Sequence, residues 1–151
     1  MRKPFPVKTE IVVRFSDVDI MGHVNNARYL SYFEQARVTY YKKLKALDLR
    51  TMNVRTSFGF IVAEVGVKFH APAYIDETLV ISIRIAELRQ KAFRMEYEVR
   101  DKKTRRLIAA GYSVQVMYNY KKMRPFAIPL SLRRKILALE KRGIEVKGGL
   151  S

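Results

Sequence analysis

Hydrophobic and polar residues alternate along five stretches of the chain, and a longer apolar stretch separates the first of them from the rest. A period of two residues is typical of a β-strand with one buried face, whereas apolar residues three and four apart indicate a helix. The alternating stretches are residues 7–15, 58–70, 79–86, 93–100 and 107–120. The sequence therefore predicts one strand, one helix and four further strands.

The predicted helix follows Asn26 and runs for about 20 residues, which is roughly 30 Å at 1.5 Å per residue. Its apolar stripe includes Tyr29, Tyr40 and Leu47, and Leu30, Val38 and Tyr41 widen that stripe. A stripe of this width predicts a helix that is covered on most sides. Residues 48–56 are polar and are expected to form a loop.

Two short polar connectors, residues 87–91 and 101–105, join consecutive strand patterns. Connectors of this length form hairpins, so we expect antiparallel pairing. A short basic helix is predicted at about residues 129–142, after Pro125 and Pro129. One helix combined with a run of antiparallel strands is an α+β arrangement, with the sheet folded around the helix in a single domain over residues 1–151.

Basic residues strongly outnumber acidic ones. The 151 residues include 30 Lys and Arg but 14 Asp and Glu, for a net charge of +16. Such a charge attracts polyanions, which include nucleic acid, coenzyme A and an acidic acyl carrier protein. The chain has no cysteine, no run of about 18 apolar residues and no apolar run after its basic first residues, so we expect a cytoplasmic protein without disulfides or a transmembrane segment.

The most informative chemistry lies in residues 14–26, between the first strand and the helix. Two acids, Asp17 and Asp19, are followed by Gly22 and His23 and then by two asparagines at the predicted helix start. Asparagine is a favoured N-cap residue, because its side-chain oxygen accepts from the unpaired amides of a helix. A carboxylate beside such amides can serve acyl transfer or hydrolysis.

The pattern Asp17-x-Asp19-x-x-Gly22-His23-Val24-Asn25-Asn26-x-x-Tyr29 resembles the signature of the hotdog-fold acyl-CoA thioesterases of the 4-hydroxybenzoyl-CoA thioesterase and YbgC type. The segment Pro72–Leu79 also resembles that family's turn between its second and third strands. The resemblance implies a hotdog fold, in which an antiparallel sheet wraps one long central helix. It also implies hydrolysis of an acyl-CoA or acyl-carrier thioester to a free carboxylic acid, without a metal or redox cofactor.

By the same resemblance, Asp19 is the catalytic carboxylate, either as nucleophile or as general base, and the amide of Asn26 is the donor to the thioester oxygen. Gly22 lets the chain turn and approach the substrate closely. Asn25 caps the helix beside the substrate. Asp17 is expected to be structural, bonded to loop amides or paired with Arg14.

The remaining candidates keep two interpretations each. His23 either orients or polarises the substrate or is a capped structural histidine, and Tyr29 either lines the acyl pocket or packs in the core. Glu34 and Glu64 are either further site carboxylates or members of ion pairs, with Arg28 or Arg37 for Glu34 and with a lysine for Glu64. We expect the ion pairs.

Sites of hotdog proteins often form between subunits, and a helix wrapped by one sheet leaves strand edges open. We therefore expect a homodimer or homotetramer. One alternative function is a non-catalytic module that binds acyl-CoA or, through its basic surface, nucleic acid. The aromatic residues stand at core spacing, which argues against nucleic acid. A hydratase or dehydratase on the same fold would need a different acid–base pair.

Overall fold

A computed structural model describes residues 3–45, 58–141 and 143–148. Within these ranges the chain forms two α-helices and a sheet of seven strands, with a single 3-10 turn at Phe15–Asp17. In chain order the elements are β1 (Val7–Val12), α1 (Arg28–Leu44), β2 (Phe58–Phe69), β3 (Thr78–Leu88), β4 (Ala92–Asp101), β5 (Leu107–Asn119), β6 (Arg124–Pro125), α2 (Leu130–Glu140) and β7 (Glu145–Val146).

The five long strands lie in the order β1-β3-β4-β5-β2, and every neighbouring pair among them is antiparallel. The hairpins predicted at residues 87–91 and 101–105 are present, and the segment predicted at Pro72–Leu79 connects β2 to β3. Helix α1 packs on one face of this sheet. The predicted α+β architecture is therefore confirmed.

The core lies between α1 and the inner rows of β3 and β4. Alternate residues of β3 from Leu79 to Ile85 are fully buried, as are Met95 and Val99 of β4. The ring of Phe33 on α1 stacks on that of Tyr97 with 4.1 Å between centroids. The strict alternation that predicted these two strands thus corresponds to one face covered by the helix.

The prediction for β2 is wrong in its first half. We expected Ile61, Ala63 and Val67 to share one face, but the register of β2 on β5 shifts between Val62 and Glu64. This bulge adds one residue and reverses the faces, so that Phe60 instead packs against the core. Because β2 is an edge strand, the inward-facing Val62, Val65 and Phe69 still stay partly exposed.

Strand β5 turns its polar residues inward. Ser113 and Gln115 are buried beneath α1, where the Ser113 hydroxyl lies 2.5 Å from the Tyr97 hydroxyl. The tyrosines of β5 lie on the outer face, and a Cβ added to Gly66 would lie 2.4 Å from the ring of Tyr112. Only glycine at position 66 therefore lets this ring lie against the neighbouring strand.

Helix α1 runs from one end of the sheet to the other. The ring of Tyr29 in its first turn lies 5.3 Å from Phe69 at the end of β2, and the ring of Tyr41 lies 5.3 Å from Phe60 near the start of β2. The helix ends at Lys45, which has a left-handed φ of 54°. The predicted helical residue Leu47 and the predicted loop 48–56 lie outside the described residues.

Helix α1 is also less covered than predicted. Its buried residues form one stripe from Tyr29 to Leu44, whereas Leu30, Glu34 and Gln35 are exposed. Apolar residues beside the main stripe widened the predicted buried face, but the sheet covers only one side of the helix within the described chain.

Helix α2 is fixed to α1 and β3 by its last residue. The Oε1 atom of Glu140 accepts hydrogen bonds of 2.6 Å from both the Tyr40 hydroxyl and the Ile85 amide. The register of β3 on β4 shifts just after Ile85, and a bulge of this kind frees backbone groups from the ladder. The helix is slightly shorter than the predicted 129–142. No helix within the described ranges is long and apolar enough to cross a membrane.

Candidate active site

The candidate site is built on the loop between β1 and α1, which folds back on itself as a small hairpin. Val18 and Val24 form an isolated antiparallel bridge, and the Asn25 amide donates to the Asp17 carbonyl at 2.8 Å. The Val24 amide donates to the carbonyl of Ala73, also at 2.8 Å. The loop is therefore fixed to the β2–β3 connection as well as to itself.

Asp19 lies on one arm of this hairpin, opposite His23. Its amide donates to the His23 carbonyl at 3.2 Å, and its Oδ1 accepts from the Met21 amide at 2.9 Å. Within the described chain, Oδ2 of Asp19 has no hydrogen-bond partner, and the residue is partly exposed. One carboxylate oxygen is thus held in place while the other is open to a substrate.

Gly22 closes the tip of the hairpin. Its amide donates to the Asp19 carbonyl at 3.0 Å, and its φ of +86° lies in the left-handed region that favours glycine. Between these two residues, Ile20 and Met21 expose most of their side chains. The loop therefore presents apolar side chains immediately beside the Asp19 carboxylate.

The start of α1 differs from the predicted capping. Ala27 is the N-cap residue and no side chain caps the helix, whereas Oδ1 of Asn25 accepts from the Ala27 amide at 3.0 Å. The Asn25 carbonyl then accepts from the Arg28 amide at 2.9 Å. Asn25 thus stabilises a turn that precedes the helix. The amide of Asn26 makes no hydrogen bond with any residue that the structure describes.

Asp17 has the structural position that the sequence predicted. Its Oδ2 accepts from the Arg14 amide at 2.9 Å and from the Tyr32 hydroxyl at 3.0 Å. Burial, followed by the bond to Asp17, raises the pKa of Tyr32. The guanidinium of Arg28 lies 3.8 Å from Asp17 and donates to the Ser16 carbonyl at 3.2 Å. The sequence had suggested Arg28 only as a partner of Glu34.

His23 and Tyr29 occupy different environments near this loop. His23 is half-buried, and its Nδ1 lies 3.4 Å from the Val24 carbonyl oxygen. Tyr29 is buried between the rings of Tyr32 and Phe69, at centroid distances of 5.6 and 5.3 Å. Burial raises the pKa of its phenol to about 12, and the carboxylate of Glu77 adds to that shift.

The structure does not bring the two glutamate candidates to the loop. Glu64 accepts a 2.7 Å hydrogen bond from the Tyr112 hydroxyl on the outer face of the sheet, rather than forming an ion pair with a lysine. Glu34 is exposed on α1, and in the described part of the chain it has no ion pair, since Arg37 donates to the Tyr97 hydroxyl. Both predicted ion pairs are therefore wrong. Among the residues described, no group of three acidic or histidine side chains could hold a metal ion.

An antiparallel sheet around one long helix, with an acidic loop at the start of that helix, is the arrangement of the hotdog-fold thioesterases. The chain belongs to the thioesterase-like superfamily, whose model matches residues 13–136. The resemblance noted in the sequence is thereby confirmed.

Three known proteins illustrate the relationship. Long-chain acyl-CoA thioesterase FadM of Escherichia coli K12 is 25% identical over 130 residues, covering 86% of this chain and 96% of FadM. Acyl-CoA thioesterase YbgC of Haemophilus influenzae is 27% identical over 129 residues, covering 85% and 90%. A thioesterase of Thermus thermophilus, solved with coenzyme A and zinc, superposes with a TM-score of 0.79 at 33% identity, covering 94% and 98%.

Proposed function

We propose that this thioesterase hydrolyses acyl-CoA, with Asp19 as its catalytic carboxylate and the Asn26 amide as the donor to the thioester oxygen. Coenzyme A thioesters are the substrates named for FadM and YbgC. A net charge of +16 favours the encounter with a substrate that carries several phosphate charges.

The observation that carries this proposal is the pairing of two unsatisfied groups in one fixed loop. Oδ2 of Asp19 has no partner, and neither does the amide of Asn26, among the residues described. Both groups lie on a hairpin whose arms are joined by the Val18–Val24 bridge. A free carboxylate oxygen and a free amide are what thioester hydrolysis requires, because one acts on the carbonyl carbon and the other stabilises the developing negative charge on its oxygen.

Two routes use these groups. In the first, Asp19 attacks the carbonyl carbon, the C–S bond breaks with release of the coenzyme A thiolate, and water hydrolyses the resulting acyl anhydride. In the second, Asp19 takes a proton from a water molecule that attacks the carbon directly. Both routes release one carboxylic acid and one thiol, and both place the negative charge of the intermediate at the Asn26 amide.

The other loop residues have supporting roles in this proposal. Gly22 allows the tight turn that holds Asp19, and Asn25 fixes the turn that orients the Asn26 amide. His23 orients or polarises the substrate from the arm opposite Asp19. Tyr29 closes the base of the site through its packing. Glu64 stays a sequence prediction as a substrate contact, as does the cytoplasmic location.

We also propose that the protein works as a homodimer or a larger oligomer formed through β2. This strand is at the edge of the sheet, and Val62, Val65 and Phe69 along it remain partly exposed. Ile20 and Met21 on the active-site loop are exposed as well. Pairing of β2 with the β2 of a second copy would satisfy the open edge and cover these apolar side chains.

The test is thiol release from a panel of acyl-CoAs that differ in chain length and aromaticity, with Asp19→Asn compared against Asp17→Asn. Loss of the carboxylate at position 19 removes both the nucleophile and the base, so kcat should fall by about 10²–10⁴-fold or more with no change in melting temperature. Asp17→Asn should lower the melting temperature instead.

Near-full turnover by Asp19→Asn would exclude Asp19 as the catalytic group. A wild-type protein that binds acyl-CoA tightly but hydrolyses none of the panel would favour the non-catalytic binding module.

A further inference from the structure

The basic residues of this chain are concentrated at the end of the molecule opposite the active-site loop. The loop lies at the start of α1, and the 17 residues of that helix extend about 25 Å to the far end. There Lys42, Lys43 and Lys45 are all exposed. The β3–β4 turn reaches the same end and exposes Lys91.

Two further elements add to this basic end. The connection between β5 and β6 exposes Lys121, Lys122 and Arg124, because β5 ends beside the start of β2. Helix α2 exposes Arg134 and Lys135, and the Lys135 ammonium donates to the Lys45 carbonyl at 3.2 Å. The ends of four separate elements therefore form one continuous basic surface.

The acidic residues do not neutralise this surface. Of the acidic side chains described at this end, Glu87 pairs with Arg89 and Lys147, Glu145 lies 3.8 Å from Lys147, and Glu140 is buried. Lysines 121 and 122 have no ion pair among the described residues. The opposite end, in contrast, contains Asp19, Asp76, Glu77 and Asp101.

Apolar side chains project from the same basic surface. The tip of the β5–β6 hairpin is built by Asn119, whose Oδ1 accepts from the amides of both Lys121 and Lys122 at 3.0 Å. Beyond them, Met123 has a left-handed φ of 53° and is 70% exposed. Leu130 at the start of α2 is 53% exposed. The basic residues thus flank an apolar tip.

We propose that this basic end docks onto a bilayer surface rich in anionic phospholipid. Lys and Arg supply attraction to the headgroups, and an exposed Met and Leu can enter the region between headgroups and acyl chains. A nucleic-acid surface would need accessible aromatic rings for stacking, whereas Tyr118 and Tyr120 pack edge to face at 5.4 Å and are only half-exposed. In this orientation the active-site loop faces away from the bilayer.

The experiment is cosedimentation of the full chain with vesicles of phosphatidylcholine alone or mixed with phosphatidylglycerol. Wild type should bind the anionic vesicles and lose that binding as salt rises. The triple variant Lys121→Gln, Lys122→Gln, Arg124→Gln should partition about a hundredfold less well, because each basic residue near such a surface contributes about fivefold. Met123→Ser should lower partitioning about fivefold at unchanged charge.

The matched control is Lys102→Gln, Lys103→Gln, Arg105→Gln, which removes the same charge from the β4–β5 turn at the opposite end. It should bind the vesicles like wild type, and both triple variants should keep the kcat of wild type at saturating acyl-CoA. Equal losses in the two triple variants, binding to phosphatidylcholine alone, or tighter hairpin-dependent binding to a single-stranded oligonucleotide would each overturn the proposal.

Discussion

The hydroxyl of Tyr32 donates a 3.0 Å hydrogen bond to Oδ2 of Asp17 and so joins the active-site loop to the second turn of α1. The bond is buried and its acceptor is a carboxylate, which makes it stronger than a neutral pair. It holds the arm of the hairpin that continues into Asp19. The two acids of the motif therefore have separate tasks, since one positions the loop and the other is open to the substrate.

We expect Tyr32→Phe to lower the free energy of unfolding by about 1–3 kcal/mol, because the buried carboxylate loses one of its donors. Urea unfolding of Tyr32→Phe, Asp17→Asn and the double variant measures this. The double variant should cost less than the sum of the single variants, since both remove the same bond. Additive costs would show that the two side chains act independently.

The Asn26 amide can be tested by removing the N–H group without changing the charge. Asn26→Pro should lower kcat by about 10²–10³-fold, as expected for loss of one oxyanion donor, while KM changes little. Asn26→Ala keeps the N–H and should retain most of the activity. Because no described residue accepts from this amide, the proline variant breaks no observed hydrogen bond. Equal activity of the two variants would exclude the amide as the donor.

The basic surface predicts a salt dependence of catalysis. If its field steers acyl-CoA to the enzyme, kcat/KM should fall as salt rises from low to physiological concentration, while kcat stays nearly constant. Steady-state kinetics in a series of sodium chloride concentrations measures both. A short neutral thioester without phosphates is the control, and its kcat/KM should not respond. A constant kcat/KM for acyl-CoA would exclude steering.

Glu140 predicts a pH dependence of stability. Burial raises the pKa of its carboxyl group above the unfolded value of about 4.3, although the bonds from Tyr40 and Ile85 oppose that shift. A raised pKa means that the contribution of this group is complete below the unfolded pKa and is lost as pH rises through the folded pKa.

Relative to wild type, Glu140→Gln should therefore gain stability as pH rises from about 4 to 8, as measured by urea unfolding at each pH. The opposite trend would mean that the ionised carboxylate is the favoured form. Glu145→Gln is the matched control, because Glu145 is exposed, and its difference from wild type should vary little with pH.

Local patterns allowed much of the fold to be predicted from the sequence. Strands β3 and β4 alternate without interruption, so each residue's face follows from its position. In β2 the bulge beside Ala63 reverses the faces, and nothing in a run of apolar residues marks where an extra residue enters. The inward-facing Ser113 was not predicted, because its partner Tyr97 lies on another strand.

The candidate site divides in the same way. Asp19, Gly22, His23, Asn25 and Asn26 are close in sequence, so their shared loop was predictable. The bond between Tyr32 and Asp17 spans 15 residues, and that between Tyr40 and Glu140 spans 100. Such contacts depend on how α1 and α2 pack, which no spacing rule specifies.

The direction of α1 gives its two ends opposite partial charges. The aligned peptide dipoles place positive charge at the N-terminus, where the Asn26 amide is free, and negative charge at the C-terminus. Lys42 and Lys43 in the last turn and the Lys135 ammonium on the Lys45 carbonyl offset that negative end. Anyone who replaces these lysines with acids to reduce nonspecific adsorption should therefore expect a less stable helix, and neutral glutamine is the better choice.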